Sequence, residues 1–432
     1  MTQVAERHET YIAAFEAFRR DAGFGPEPVR AARDAAFQRF LDRGFPTTRD
    51  EEWRFTNVAP IADTPFVRAR AAAVDPGALQ PYRFAGLPTI VVVNGRLVES
   101  DALPAGVTLT TLSALGWAMP SSAARTHAAA NPFVDLNAAF FEDGIVLLVA
   151  PKTVVADPIH VLAVSAAGAD PAMASPRLIV HVGERSELSI VESYAGVGGV
   201  ALTNAVTELT LEPDAVVHHV KVQRELPSAF HVASLFVELG RASTLTSHAV
   251  TLGGRIARND IVAELAGEGA ECTLNGLYLA DGDALVDTHT VIDHAQPHCP
   301  SHEVYKGILA GRARAVFNGK IIVRPDAQKT DAKQTNKALL LTDHAQINTK
   351  PQLEIFADDV KCTHGAAIGQ LDEDALFYLR ARGIGESDAR SLLIHAFAGD
   401  VLGGITIGAV RERVRHLMEE KLAIPEQTLG QE

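Results

Sequence analysis

The sequence predicts a mainly β protein: a parallel β-helix core flanked by an N-terminal helical (α/β) region and a C-terminal helical region. Two observations carry this expectation. From Gly144 to about Gln370 the chain runs through short stretches rich in Val, Ile, Leu and Thr, punctuated by Gly, Asp and Pro, which is the texture of strands. Within it a degenerate repeat recurs, an apolar residue followed four positions on by a small one and six positions on by an apolar one. Val182/Ser186/Leu188, Leu211/Ala215/Val217, Leu239/Ser243/Leu245, Leu309/Ala313/Ala315 and Leu341/Ala345/Ile347 obey it, and an irregular copy lies near Leu265. The steps of 29, 28 and 32 residues between neighbouring copies signal a solenoid whose coils stack like side chains on like. A β-sandwich, whose turns also recur, is the alternative, and the position-matched small residues favour the β-helix. The expected divisions are 1–143, 144–370 and 371–432.

In chain order, Tyr11, Ile12, Phe15 and Phe18 share one helical face. Val29, Ala32, Ala36, Phe37, Phe40 and Leu41 share another, with Gly23 and Pro28 between the two helices. Asn94-Gly95, set between apolar residues from Ile90 to Leu97, is the dipeptide of a tight hairpin because both residues tolerate positive φ. After the β region, Asp372 is placed to cap a helix that stops at Gly383. Ser387 can cap a second, with a stripe of Ala389, Leu392, Leu393, Ala396 and Phe397. Ile407, Val410, Val414, Leu417 and Met418 mark a third. These helices either dock on the last coil or present a face to a partner.

Composition narrows the function classes. With 432 residues, two or three domains are expected, and 47% hydrophobic with 21% charged residues describes a folded chain rather than a disordered one. The first 20 residues intersperse charges among apolar positions, unlike a signal peptide, and no apolar run approaches the roughly 20 residues of a membrane span. A cytoplasmic protein is expected. A net charge of -14 without a basic tract argues against nucleic acid as partner. Three cysteines, Cys272, Cys299 and Cys362, are too few and too odd in number for a disulfide framework.

The most pointed local feature is Val360-Lys361-Cys362-Thr363-His364-Gly365. On a strand, Cys362 and His364 project from one face, and thiolate with imidazole is a soft ligand pair suited to iron, zinc or an iron-sulfur cluster. Two ligands leave such a site incomplete, so another chain would supply the rest. A structural Cys beside a hydrogen-bonded His reads the spacing equally well. The stretch from Asp293 to His302 holds His294, His298, Cys299 and His302, but Pro297 and Pro300 deny them a common face, and a loop between coils is expected. Cys272 reads as core. Asn318-Gly319-Lys320 and the polar run Lys329, Thr330, Asp331, Gln334, Thr335 and Asn336 either line a groove or stack as a ladder, and the ladder is favoured. No phosphate-binding Gly-x-x-x-x-Gly-Lys-Ser/Thr loop, no nucleophile elbow and no His-Glu-x-x-His occurs, so no ATP site is expected in this chain.

The segment from Lys306 to Gly383 resembles the SufB/SufD family of iron-sulfur cluster assembly scaffolds. The resemblance rests on Arg312 to Lys320 (RARAVFNGK), Asp326 to Asp331 (DAQKTD), Gln334-Thr335-Asn336, Lys350 to Gly365 (KPQLEIFADDVKCTHG) and Leu376 to Gly383 (LFYLRARG). SufB chains are generally longer and carry Glu directly after the Cys-x-His pair. Gly365 stands there here, and Glu51-Glu52-Trp53-Arg54-Phe55-Thr56 is SufD-like, so the SufD branch is favoured. The resemblance implies a right-handed β-helix that associates edge to edge with a SufB-like subunit and, through its C-terminal helices, with a SufC-like ATPase. It further implies a non-enzymatic scaffold, a transient iron-sulfur cluster shared with SufB, and His364 as the residue that meets it, with Cys362 the weaker candidate. A flavin on the complex and a homodimer of the chain when alone remain compatible with it. The His-Ala-x-Pro-x-Cys pattern around Cys299 also matches the family and reads as scaffold. The rivals are an architectural partner with no ligand role and a carbohydrate-active β-helix enzyme using Asp281, Asp283 and Asp287. The latter generally needs export and sugar-stacking aromatics, and only 6% of residues here are aromatic.

Overall fold

The computed structural model describes residues 3–117 and 131–422. Its core is a parallel β-solenoid of about eight coils, each coil giving one strand to each of two facing sheets. One sheet runs through Arg177–Val182, Ala201–Leu211, Phe230–Leu239, Ile256–Leu265, Leu285–His294, Arg314–Val323 and Gln346–Ile355. The other runs through Glu187–Gly198, Val216–Arg224, Thr244–Thr251, Glu271–Ala280, Pro300–Leu309, Asp331–Leu340 and Lys361–Gly369. Strands alternate their side chains, so every second residue enters the space between the sheets. Val180, Val182, Leu188, Ile190, Leu209, Leu211, Val217, Leu235, Leu239 and Leu245 fill it in stacked layers.

The period has a physical cause at one corner of the coil. Lys152, Arg185, Asp214, Ala242, Gly269, His298 and Lys329 all adopt φ between 54° and 71°, one per successive coil. Each donates its backbone N–H to the carbonyl of the corner above: Arg185 to Pro213, Asp214 to Arg241, Ala242 to Glu268, Gly269 to Pro297, His298 to Gln328, Lys329 to Asp359. Ser186, Ala215 and Ser243 of the sequence repeat sit beside this ladder. Ser186 Oγ, for example, donates to Ala150 O at 2.8 Å and accepts from Thr153 N at 3.0 Å. The repeat as read from sequence mixes two corners, however. Leu211 pairs with Val182 and Leu239, and Leu239 with Leu265, whereas Leu309 pairs with Ala280 and Leu340 on the opposite corner. Both corners demand the same small and apolar alternation, so their signals look alike.

Helical layers cover both outer faces. The helices Gln3–Arg19, Glu27–Arg43 and Pro132–Phe140 pack Tyr11, Phe15, Phe18, Phe37, Phe40 and Phe140 against Met173, Leu202, Phe230, Val232 and Ile256 of the first sheet. Phe15 stacks on Phe37 with centroids 4.0 Å apart. Ile12 lies outside this layer, exposed, and Arg33 takes the buried place expected of Ala32. Its guanidinium donates to the carbonyls of Ala139 (3.3 Å), Phe141 (2.5 Å) and Glu142 (3.4 Å), satisfying the end of the helix Pro132–Phe140 while lying over the Phe18 and Phe141 rings. The Asn94-Gly95 hairpin forms as expected, both residues at positive φ, between Thr89–Val93 and Arg96–Ser100.

At the other end, Asp372 caps Glu373–Ala381 by accepting from Asp374 N and Ala375 N, and Gly383 follows at φ 87°. The helix Glu386–Gly404 starts one residue before Ser387, with Gly385 at its cap, and buries Ala389 as expected but otherwise Ile394, Ala398, Val401 and Leu402, with Phe397 partly buried and Leu392 exposed. Together with Gly408–Leu422 it lies on the outer face of the second sheet over Val220, Val250, Leu277 and Ile308. Lys306, almost wholly buried there, anchors it through Phe397 O and Asp400, both at 2.7 Å. These helices therefore flank the middle coils, and among the described residues the outer edge of the strand Lys361–Gly369 stays open.

Candidate functional site

The solenoid ends on two strands, Gln346–Ile355 and Lys361–Gly369, each paired along one edge only. An edge strand offers a row of free N–H and C=O groups. This end also exposes Ile355, Phe356 and Ile368, and nothing else among the described residues covers the strand Lys361–Gly369, whose residues are nearly all solvent-facing.

Cys362 and His364 sit on that strand, two residues apart on the row that points between the sheets. Cys362 pairs in register with buried Ala332 and packs with Ile321, Val323, Ala327 and Ala357, and His364 pairs with Gln334. Burial pushes the Cys362 thiol up, which disfavours the thiolate a metal would need. His364 is exposed at the mouth of the solenoid. The two expected ligand residues are thus brought onto one row, and among the described residues no group of three or more His, Cys, Asp and Glu side chains is arranged to hold a metal ion.

Cys272, Cys299, His294 and His298 have structural places. Cys272 is fully buried and its thiol held well above the ordinary range by burial. Cys299 donates to Gly267 O and Pro297 O. His298 is the left-handed corner residue of its coil, and His294, facing inward, shares a hydrogen bond with Ser301 and is pushed down to about 4 by burial. The stretch is a coil corner as expected, with the refinement that Pro300 opens a strand. The acids of the hydrolase rival do not converge: Asp283 pairs with Arg312 at the surface, while Asp287 is buried under Arg258 and Thr56.

The polar run around Asn318 divides by strand alternation. Gln334 and Asn336 face inward and are buried, whereas Asn318 and Lys320 face outward. Asn318 meets the Glu51-to-Thr56 segment, whose function the sequence left blank: Trp53 stacks on Arg258 (3.8 Å), Thr56 Oγ1 donates to Asp287 (2.6 Å), and Glu52 reaches His289 (3.2 Å). Burial and Arg258 oppose a charge on His289, but Asp287 and Glu52 overcome both and hold it above its ordinary value. The segment is a clasp that fixes the N-terminal layer to the first sheet, beside a groove of about 540 Å³.

The fold and this end of it define the class as a parallel β-solenoid whose terminal strand edge is open among the described residues and carries an imidazole. Comparison with known proteins identifies it. Residues 164–397 match the family model described as SUF system FeS cluster assembly, SufBD core domain, and residues 5–161 match the SufBD protein N-terminal region. Relatives include the iron-sulfur cluster assembly SufBD family protein slr0076 of Synechocystis, 34% identical over 86% of each chain. The iron-sulfur cluster assembly protein SufD of Escherichia coli K12 is 29% identical over 89% of this chain and 91% of its own. A SufBD family protein of Mycobacterium leprae, ML0594, is 32% identical over 66% of this chain and 74% of its own. The chain belongs to the SufBD family of iron-sulfur cluster assembly proteins. No helix among the described residues is long and apolar enough to cross a membrane.

Proposed function

We propose that the chain is the SufD-like scaffold subunit of a cytoplasmic SufB-SufC-SufD complex, and that its open solenoid end forms the nascent cluster site with a SufB-like partner. The observation that carries this reading is the strand Lys361–Gly369, unpaired along its outer edge and bearing His364 at the mouth. A second β-helix docked edge to edge would satisfy the free backbone groups and bring its own ligands to the two donors present here. His364 is the ligand toward the cluster, which is cargo. Cys362, half-buried with a raised thiol, is the weaker one.

The C-terminal helices support the second contact. Phe377 and Tyr378 on Glu373–Ala381 and Leu392 on Glu386–Gly404 are 73%, 55% and 51% exposed. Large exposed apolar side chains on these helices fit a protein partner, and we assign them to the SufC-like ATPase, whose motion would then reach the solenoid through Glu386–Gly404. ATP hydrolysis belongs to that partner, and this chain is a scaffold rather than an enzyme.

The test is anaerobic reconstitution of the co-expressed three-protein complex, comparing wild type with His364→Ala by visible absorbance and bound iron. Loss of cluster with the complex still assembled supports the ligand role. Full cluster yield would reduce the chain to an architectural partner.

A further inference from the structure

Behind His364 lies an inward-facing row of residues that the ligand pair alone does not explain. In register, Leu274 stacks on Glu303, Glu303 on Gln334, and Gln334 on His364. Glu303 and Gln334 are each 1% exposed. Gln334 Nε2 donates to Glu303 Oε2 at 2.6 Å, which fixes the amide plane. The other end of that amide, Gln334 Oε1, is buried without a partner. An unmatched buried acceptor is costly, and the next residue outward on its row is an imidazole, which always carries at least one N–H.

The facing sheet makes room for this amide. A Cβ on Gly319 would lie 2.1 Å from Gln334 Nε2 and 2.7 Å from its Cδ, so any side chain there would displace Gln334. Gly319 and Gln334 come from two separate polar stretches of the sequence, and the fold brings them together beneath His364.

We propose that Gln334 is a positioning residue for His364: its Oε1 accepts one ring N–H and holds a single tautomer, so that the lone pair of the other nitrogen faces out of the open end. Glu303 orients the amide, and Gly319 leaves the space it occupies. Fixing the tautomer by the hydrogen bond of the opposite nitrogen is the usual way a ligating histidine is prepared. The consequence for cluster assembly rests on the reading of His364 as a ligand, whereas the tautomer does not.

The experiment uses the full-length, metal-free chain with ¹⁵N-labelled histidine at about pH 8, where a free imidazole is neutral. His364→Ala identifies the His364 signals. Wild type is expected to show one tautomer and Gln334→Leu a mixture. Gly319→Ala should reproduce the mixture by displacing the amide. An unchanged tautomer in Gln334→Leu, with the other histidine signals in place, would overturn the proposal, as would an unchanged Gly319→Ala. In the co-expressed complex, Gln334→Leu should lower cluster loading about 10-fold. If the tautomer responds while His364→Ala still loads fully, the positioning contact stands and the ligand reading falls.

Discussion

At the residue scale, Glu303 sets a pH dependence whose sign can be worked out. Burial raises its carboxyl from 4.5 to about 7, so the folded chain holds this proton more tightly than the unfolded one. The stability associated with the protonated acid is complete below about 4.5 and is lost as pH rises to about 7. Glu303→Gln should therefore stabilise the chain by about 3 kcal/mol at pH 8 and by little at pH 4, read as unfolding free energy in urea. His160 and His294 act in the opposite direction. Buried and held neutral at about 3 and about 4, they take up protons on unfolding, so stability should fall as pH drops below about 6.5. Ala242 gives a third expectation. It holds φ 54° at the coil corner, a conformation that suits glycine, so Ala242→Gly should raise stability by about 0.5–1 kcal/mol in the same assay. These positions were not legible beforehand. The corner conformation is occupied by Lys, Arg, Asp, Ala, Gly and His in turn, because the ladder uses the backbone N–H and is indifferent to the side chain. Arg33 escaped notice because a guanidinium that satisfies helix-end carbonyls replaces an apolar residue on a helical face.

At the element scale, the hairpin at Asn94-Gly95 and the Asp372 cap were readable because each depends on contacts within a few residues. The start and inner face of Glu386–Gly404 were not. Ser387 and the stripe through Leu392 satisfy local rules, but the sheet beneath selects Ile394, Ala398 and Val401, turning Leu392 outward. That rotation leaves Leu392 exposed, as Phe377 and Tyr378 are on the preceding helix. Leu392→Glu is expected to leave thermal stability unchanged while weakening affinity for the SufC-like ATPase at least tenfold in titration calorimetry, a loss of about 1.4 kcal/mol or more. The Cys362-His364 spacing was legible for the same local reason, since any strand places residues two apart on one face. Its support by Gln334 and Glu303 was hidden, because that row depends on the register of strands from three successive coils.

At the scale of the whole molecule, the coil repeat announced a solenoid through small residues at the corners, although copies from opposite corners were read as one series. Family membership accounts for what this architecture is used for: the SufBD models match residues 5–161 and 164–397. The helical layers cover both faces of the solenoid, and among the described residues they leave the outer edge of the strand Lys361–Gly369 uncovered. The central claim is that this open end is a working face completed by another chain. Hydrogen-deuterium exchange of the strand Lys361–Gly369, in the isolated chain and in the assembled complex, tests it most directly. Fast exchange of the outward-facing amides alone, turning to strong protection in the complex, is the predicted result. Equal exchange in both states, with the complex intact, would contradict the claim.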